Sequence, residues 1–540
     1  MLGVMPDQSA GTAPGPGRLR WTLTAPALVL GAALVNAVLY HAPLLAFALG
    51  NLDTCSLRGL LTLLTLGVLA VAATALMFGV LALASERLVK PLLMIAAVGN
   101  SIALYFVLAY GVVLDKAMMG NVFNTTPAEA GELFHPRLLA YLLVLGAVPC
   151  WLLTRVTLRA TPWPRRLAFV GVVLAVTLGW AYANAPSWLW LDQNARRLGG
   201  MTLPWSYVVN GSRRLLEMAA PREQRLLPPA HFTAGGPGVV MLLIGEAARA
   251  QDFSLYGYPR PTNPRLATLG VAALPHARAC ATYTTASLIC LLSHLGSGHG
   301  ASWEPLPSYL QRSGVDVIWR TNNWGEPRMA VQTFERAREL RAQCRGDGCS
   351  HDEVLLQGLA RRIRASARER IFVVLHLGGS HGPAYYSKVP ARFETFTPVC
   401  TSVELQRCSH DALVNAYDNT IVYADHVIAE AIALLQTLPI PTALIYVSDH
   451  GESLGEYGLY LHGTPYALAP DVQKDIPFLV WTSPAFRQRK ALRATPAAGV
   501  SQAWVFHSVM GALDLRSEVY RPELDLFAEP AAERGQATRQ

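Results

Sequence analysis

Residues 443–452 read Ala-Leu-Ile-Tyr-Val-Ser-Asp-His-Gly-Glu. A short apolar run breaks off into a carboxylate, an imidazole, a glycine and a second carboxylate. The run has the length and composition of a strand buried on both faces, and its polar residues fall where the strand would end. Similar runs stand at Val239–Ile244, Val315–Trp319, Ile371–Leu375 and Phe478–Trp481, separated by longer stretches of helical character. That alternation predicts an α/β domain with a mostly parallel sheet flanked by helices. Ligands in such folds bind beyond the carboxyl ends of the strands, so the residues that follow each run carry the most information.

Two further runs end in metal-ligating types. Val239–Ile244 leads into Gly245–Glu246, and Ile371–Leu375 leads into His376 and then Ser380–His381–Gly382. With Asp449 and His450, these carboxylates and imidazoles would converge on one cation, and zinc accepts such a mixture of O and N donors. The segment Cys280-Ala-Thr-Tyr-Thr-Thr-Ala-Ser287 supplies hydroxyls. A threonine hydroxyl is a poor nucleophile at neutral pH, and a metal ion favours its alkoxide. The same ion offsets negative charge growing on a phosphoryl group under attack. Taken singly, each feature is ordinary: a Glu after a strand is most often solvated, and Asp-His is often structural. Together they favour metal-assisted phosphoryl or sulfuryl chemistry, and the residues alone go no further.

Toward the N-terminus the composition changes. The 540-residue chain is 52% hydrophobic and only 15% charged, against about 25% charged in a typical soluble domain. The apolar excess lies in the first 191 residues. Five stretches there lack Asp, Glu, Lys and Arg: Trp21–Leu52, Gly59–Ser85, Pro91–Leu114, Leu138–Thr154 and Leu167–Leu191. A helix crosses the hydrocarbon core with roughly 20 residues, and only Leu138–Thr154 falls short. Five in succession argue for membrane spans rather than buried core helices or a signal peptide. Arg18 and Arg20, then Arg87 and Lys90, then Arg155, Arg159, Arg165 and Arg166 mark alternate ends, against near-balanced charge elsewhere. This bias predicts a cytoplasmic N-terminus and places everything after Leu191 in the periplasm of a bacterial inner membrane. The net charge of +8 partly reflects these anchors, so it is not read as nucleic-acid binding.

The expected organisation is a disordered cytoplasmic tail at 1–17, a transmembrane domain at 18–191, a linker with an interfacial helix at 192–236, and a periplasmic catalytic domain at 237–540. Six of the eight cysteines fall as close pairs in the last region: Cys280 with Cys290, Cys344 with Cys349, Cys400 with Cys408. Disulfides persist in an oxidising compartment, although six cysteines allow 15 connectivities and proximity alone suggests these three.

The motifs resemble those of the lipid A phosphoethanolamine transferases, a family that includes the mobile colistin-resistance enzymes and has an alkaline phosphatase/sulfatase-like catalytic domain. The resemblance is carried by Gly-Glu-Ala-Ala-Arg-Ala at 245–250, Phe-Ser-Leu-Tyr-Gly-Tyr at 253–258, Thr262–Asn263–Pro264, Ser-His-Gly-Pro-Ala-Tyr-Tyr at 380–386, Tyr-Asp-Asn-Thr at 417–420, Ser-Asp-His-Gly-Glu-Ser-Leu-Gly-Glu at 448–456 and Tyr460–Leu461–His462–Gly463. It implies that Glu246, Asp449 and His450 bind zinc, with Thr284 as nucleophile and fourth ligand and Thr285 as its adjacent competitor. His381 and His462 would hold a second zinc or contact the phosphoryl group as acid or base. Asn121, Thr125 and Glu129, in the loop after the third span, would bind the cationic ethanolamine head group.

The implied reaction moves phosphoethanolamine from phosphatidylethanolamine to a phosphate of lipid A through a covalent threonine intermediate, in a monomeric membrane enzyme that confers resistance to polymyxins. The same transfer to core oligosaccharide, glucan or protein, transfer of phosphoglycerol, and a non-catalytic lipid sensor are the alternatives. The chain departs from the family at Ala247 (usually Thr), Ala281 (Gly) and Ile289 (Pro). After Asn322–Asn323 the family's Ser is missing, and Arg328 stands near the position of its substrate-contacting Lys.

Overall fold

The computed structural model describes residues 21–125, 130–131, 133–219, 224–233, 236–494, 496 and 499–528. The chain divides into two compact units, Met1–Tyr105 with Pro136–Val208, and Phe106–His135 with Val209–Gln540. The segment Phe106–His135, between the third and fourth apolar stretches, therefore groups with the unit that carries the catalytic motifs.

Helices Leu57–Ala84, Glu86–Tyr110, Pro136–Thr154 and Trp163–Ala183 are each long and apolar enough to cross a membrane. The marginal fourth stretch reaches 19 residues by starting at Pro136. The first stretch is not one straight helix. Ala25–Tyr40 and Ala42–Asn51 meet at a bend of 62°, so the described residues hold four helices long and apolar enough to span, or five spans if the bent pair is one. Pro43 sits in the first turn of the second helix, and it lacks the N–H that would continue the first. The fifth helix stops at Ala183 and is followed by short helices Ala185–Ser187 and Trp188–Gln193. Inside the first unit, buried Asn100 donates from Nδ2 to Oδ1 of Asn36 at 2.6 Å, and Asn36 donates to the Leu203 carbonyl at 2.7 Å. Such polar ties hold helices together where lipid supplies no hydrophobic drive.

The second unit is built on a seven-stranded sheet: β1 (Gly238–Gly245), β2 (Ala272–Ala273), β3 (Asp316–Thr321), β4 (Thr333–Arg336), β5 (Arg370–His376), β6 (Thr442–Ser448) and β7 (Phe478–Thr482). Their order is β2-β7-β6-β1-β5-β3-β4. All five apolar runs are strands, and only β7 runs against its neighbours. The edge strands β2 and β4 escape the sequence because one is two residues long and the other is polar and half-buried.

Alternate residues of β1 face opposite layers. Val239, Met241 and Leu243 pack into a core with Tyr417, Ile421, Ile428 and Ile432 of helix His410–Gln436. Val240, Leu242 and Ile244 pack on the other side with Leu288 and Leu291 of helix Thr284–Leu291 and with Val505, Phe506 and Val509. Because β6, β1 and β5 are adjacent and parallel, the residues following each of them meet at one edge. The three close cysteine pairs are disulfides, Cys280–Cys290, Cys344–Cys349 and Cys400–Cys408. Cys55 and Cys150 are free.

Candidate active site

Glu246 follows β1, and Asp449 and His450 follow β6. All three are fully buried, and each offers a ligand atom within 4.8 Å of the others. Their hydrogen bonds aim one atom of each inward. Asp449 Oδ1 accepts from the backbone N–H of Ala247 at 3.1 Å and of His450 at 2.7 Å, leaving Oδ2 without a hydrogen bond. Glu246 Oε2 accepts from Thr284 at 3.0 Å and from Asn323 Nδ2 at 2.8 Å, leaving Oε1 likewise bare. Nδ1 of His450 donates to the Gly451 carbonyl at 2.9 Å, so in the neutral ring Nε2 carries the lone pair. That Nε2 lies 3.3 Å from both bare carboxylate oxygens.

Buried polar atoms are rarely left unpaired, and two bare carboxylate oxygens around an imidazole lone pair fit a cation. Electrostatics agree. Burial, then repulsion from Glu246, pushes the Asp449 carboxyl well above its usual range. Burial would also raise Glu246, but charge on His450 holds it well below the usual range. Burial lowers His450, yet Glu246 more than reverses that and raises it. Without a cation the cluster holds protons that a divalent ion would replace.

Thr284 opens the helix Thr284–Leu291 inside the Cys280–Cys290 loop. Its Oγ1 lies 3.4 Å from His450 Nε2 as well as 3.0 Å from Glu246. Thr285 makes no such contact among the described residues. Its methyl and that of Thr284 instead face Gly325, where an added Cβ would stand 3.1 Å and 3.5 Å from them.

A family model described as Sulfatase matches residues 239–515, and one described as Phosphoethanolamine transferase EptA/EptB matches residues 55–217. The chain is 37% identical over 511 residues to phosphoethanolamine transferase EptA of Helicobacter pylori, covering 92% of this chain and 95% of that one. It is 31% identical over 423 residues to phosphatidylethanolamine transferase Mcr-1 of Escherichia coli, covering 73% and 78%. The chain belongs to the phosphoethanolamine transferase family. The solved structure of the integral membrane protein lipooligosaccharide phosphoethanolamine transferase A (EptA) from Neisseria meningitidis matches with a TM-score of 0.85 at 27% identity, covering 94% of this chain and 99% of that one. The transferase accordingly has an α-helical membrane domain and an alkaline phosphatase/sulfatase-like catalytic domain.

In this phosphoethanolamine transferase a second group forms beside the first. Glu246, His381 and His462 also bring one ligand atom each within 4.8 Å. The His450 and His462 rings lie 4.2 Å apart between centroids. His462 Nδ1 is 3.3 Å from Glu452, and His381 Nδ1 is buried without a hydrogen bond. Burial pushes His381 down to about 3. His376, at the end of β5, joins neither group and pairs with Glu326 at 3.0 Å.

Of the residues the resemblance assigns to the head group, Asn121 reaches the site's edge. Its Nδ2 lies 3.0 Å from where a Cβ on Gly463, next to His462, would stand. Thr125 spends its hydroxyl on the Asn121 carbonyl at 2.9 Å. Glu129 lies outside the described residues. The Arg328 carbonyl accepts from Gln224 at 2.9 Å.

The transferase also uses residues that motif reading passes over. Asn323 bonds both Glu246 and, at 3.0 Å, the Leu377 carbonyl. Asp352 accepts from Gly378 and Gly379 N–H at 2.8 and 2.9 Å and from Asn322 at 2.8 Å. It thereby fixes the turn whose Ser380 N–H bonds the Glu246 carbonyl at 2.9 Å. Gln502 donates to the Asp449 carbonyl at 2.6 Å and accepts from Cys280 N–H at 3.1 Å. No sequence signal marks Asp352 or Gln502; the Asn322–Asn323 pair was visible only as a landmark.

Proposed function

We propose that this chain transfers phosphoethanolamine from phosphatidylethanolamine to a phosphate of lipid A, with its catalytic unit on the periplasmic side of the inner membrane. The observation that carries this reading is the Thr284 hydroxyl lying 3.0 Å from Glu246 Oε2 and 3.4 Å from His450 Nε2, inside the buried ligand cluster.

Glu246, Asp449 and His450 would hold a zinc ion, which when bound lowers the cost of the Thr284 alkoxide and offsets charge on the phosphoryl group. Thr284 Oγ1 gives its proton toward Glu246 Oε2 and attacks the phosphorus of the donor. The new Thr284–phosphorus bond forms as the bond to the glycerol oxygen breaks. Diacylglycerol leaves with a proton from His462, and phosphoethanolamine stays on Thr284, where His381 meets the phosphoryl group as a neutral ring. A lipid A phosphate oxygen then attacks the phosphorus as the Thr284–phosphorus bond breaks; Thr284 Oγ1 recovers its proton from Glu246, and His462 takes one back from the incoming phosphate. Asn121, Thr125, Glu129 and Arg328 serve the substrate's polar groups. Holding both lipids at one bilayer surface raises their effective concentration. The added amine and masked phosphate charge weaken binding of cationic peptides such as polymyxins.

The test is intact-lipid mass spectrometry of cells expressing wild type or Thr284→Ala. The expected result is one added phosphoethanolamine on lipid A with wild type and none with the variant. Addition to core sugar alone would overturn the acceptor, and modification by Thr284→Ala would overturn the mechanism.

A further inference from the structure

The segment between the Asp449–His450 ligands and His462 is a hairpin. Ser453–Leu454 pairs antiparallel with Tyr460–Leu461, in the register Ser453↔Leu461 and Leu454↔Tyr460. Its tip holds three residues in left-handed conformations, Gly455 (φ 119), Tyr457 (φ 55) and Gly458 (φ 73). Two are glycine, which adopts such angles freely. The third is a tyrosine, which does not, and its side chain is 91% exposed. The tip is hydrogen-bonded, from Gly455 N–H to the Leu459 carbonyl at 2.9 Å and from Gly458 N–H to the Gly455 carbonyl at 3.0 Å. A hydrogen-bonded turn thus holds a strained residue whose ring stands exposed. Strain maintained by its surroundings is a mark of function.

What the ring meets follows from the tip's neighbour. Gly111 is the first residue after the membrane-spanning helix Glu86–Tyr110. A Cβ on Gly111 would stand 3.1 Å from the Gly458 carbonyl oxygen and 3.4 Å from Leu459 Cδ2. The tip therefore packs against the residue that follows that helix, and the end of a spanning helix lies at interface depth. The helix Lys116–Asn124, five residues further along, leaves Val122 and Phe123 51% and 38% exposed. Tyrosine favours this depth, because its ring is apolar and its hydroxyl wants water.

We propose that Tyr457 is a membrane-interface residue whose ring enters the headgroup layer of the periplasmic leaflet. In that position it holds the hairpin that delivers His462 against the surface supplying the lipid donor. The consequence for turnover rests on the proposed function; the depth of Tyr457 does not.

Depth is read with a spin label on Tyr457→Cys in a Cys55→Ser, Cys150→Ala background, using the full chain in phosphatidylethanolamine/phosphatidylglycerol proteoliposomes. Higher collision rates with oxygen than with a water-soluble nickel chelate are expected. The reverse order, whether from free solvent or from a covering protein partner, overturns the proposal. Turnover supplies the second arm. Tyr457→Asp is expected to slow transfer from bilayer phosphatidylethanolamine at least about threefold. Tyr457→Trp restores it, and head-group release from a short-chain soluble donor stays unchanged in both. Equal slowing on both donors, or none on either, overturns the membrane role. A Tyr457→Cys label at interface depth, together with a wild-type enzyme that leaves lipid A unmodified, sinks the proposed function and spares this inference.

Discussion

Asn323 donates from Nδ2 to Oε2 of Glu246 at 2.8 Å, the oxygen that also accepts from the Thr284 hydroxyl. One amide thus fixes the rotation of the carboxylate and leaves Oε1 to face His450. Loss of such a supporting bond typically costs 10- to 100-fold in metal affinity or activity. Asn323→Ala is expected to lower turnover by about that factor and to raise the zinc concentration needed for half-maximal activity. Asn323→Asp should be worse, because it sets a second negative charge against Glu246. Unchanged zinc dependence in Asn323→Ala would show that the carboxylate is held by its other partners alone.

Chelation tests the ligand cluster itself. Glu246, Asp449 and His450 are fully buried, so without a cation the cluster must hold protons in place of the ion in a desolvated space. Stripping zinc is expected to abolish transfer and lower Tm. A cation present at 100 times its dissociation constant stabilises by about 3 kcal/mol. Zinc should restore both readouts and magnesium neither, since magnesium prefers an oxygen-only octahedral shell. Full activity in metal-free enzyme by elemental analysis would refute the assignment.

Acid should destabilise the catalytic unit through His507, far from the ligands in sequence. Nε2 of this buried ring donates to the His294 carbonyl at 3.1 Å, and Nδ1 accepts from the Arg521 N–H at 3.2 Å. Protonating Nδ1 would set two N–H groups against each other. Burial lowers the ring to about 4; Arg521 and His294 push the same way, and the His294 carbonyl and Glu523 oppose. A histidine lowered on folding binds protons better when unfolded. Its contribution is therefore complete above pH 6.5 and is lost as pH falls toward 4, by about 2–3 kcal/mol. Tm measured across that window should fall for wild type and fall less for His507→Gln. Parallel curves would place the acid-labile group elsewhere.

The strands, the five apolar stretches and the candidate ligands Glu246, Asp449 and His450 were legible because each is a local pattern. Buried parallel strands are continuous apolar runs, and their ends show as the first polar residue. What was hidden depends on the chain's return path. Asp352 serves the turn at Gly378–Gly379 from 26 residues away, and Gln502 serves Asp449 from 53 away. Nothing in their own neighbourhoods distinguishes them from surface polar residues. The break at His41 was hidden in a uniformly apolar stretch, although Pro43 was there to be read. Ala247 was noted as a departure, but its left-handed φ of 54 follows from bonds to Asp449 and Tyr417 that composition does not encode.

The Cys280–Cys290 disulfide should matter for rate more than for folding. It closes a loop of sequence separation 10 around Thr284, and a loop that short contributes about 3 kcal/mol to stability. The surrounding unit has two packed layers and two further disulfides to keep it folded. The loop's position relative to the ligands is set by Gln502, which joins Cys280 to Asp449, and by the Gly463 N–H, which donates to the Thr282 carbonyl at 2.7 Å. Breaking the bond unties the far end of the helix that Thr284 opens from the Cys280 strand of the loop, so the helix can shift against the ligands. An ångström of play between nucleophile and phosphorus costs on the order of 100-fold in rate. Replacing both cysteines by serine is therefore expected to lower Tm by a few degrees, retain zinc, and cut lipid modification about 100-fold. A variant with normal modification and lowered Tm would assign the disulfide to stability alone.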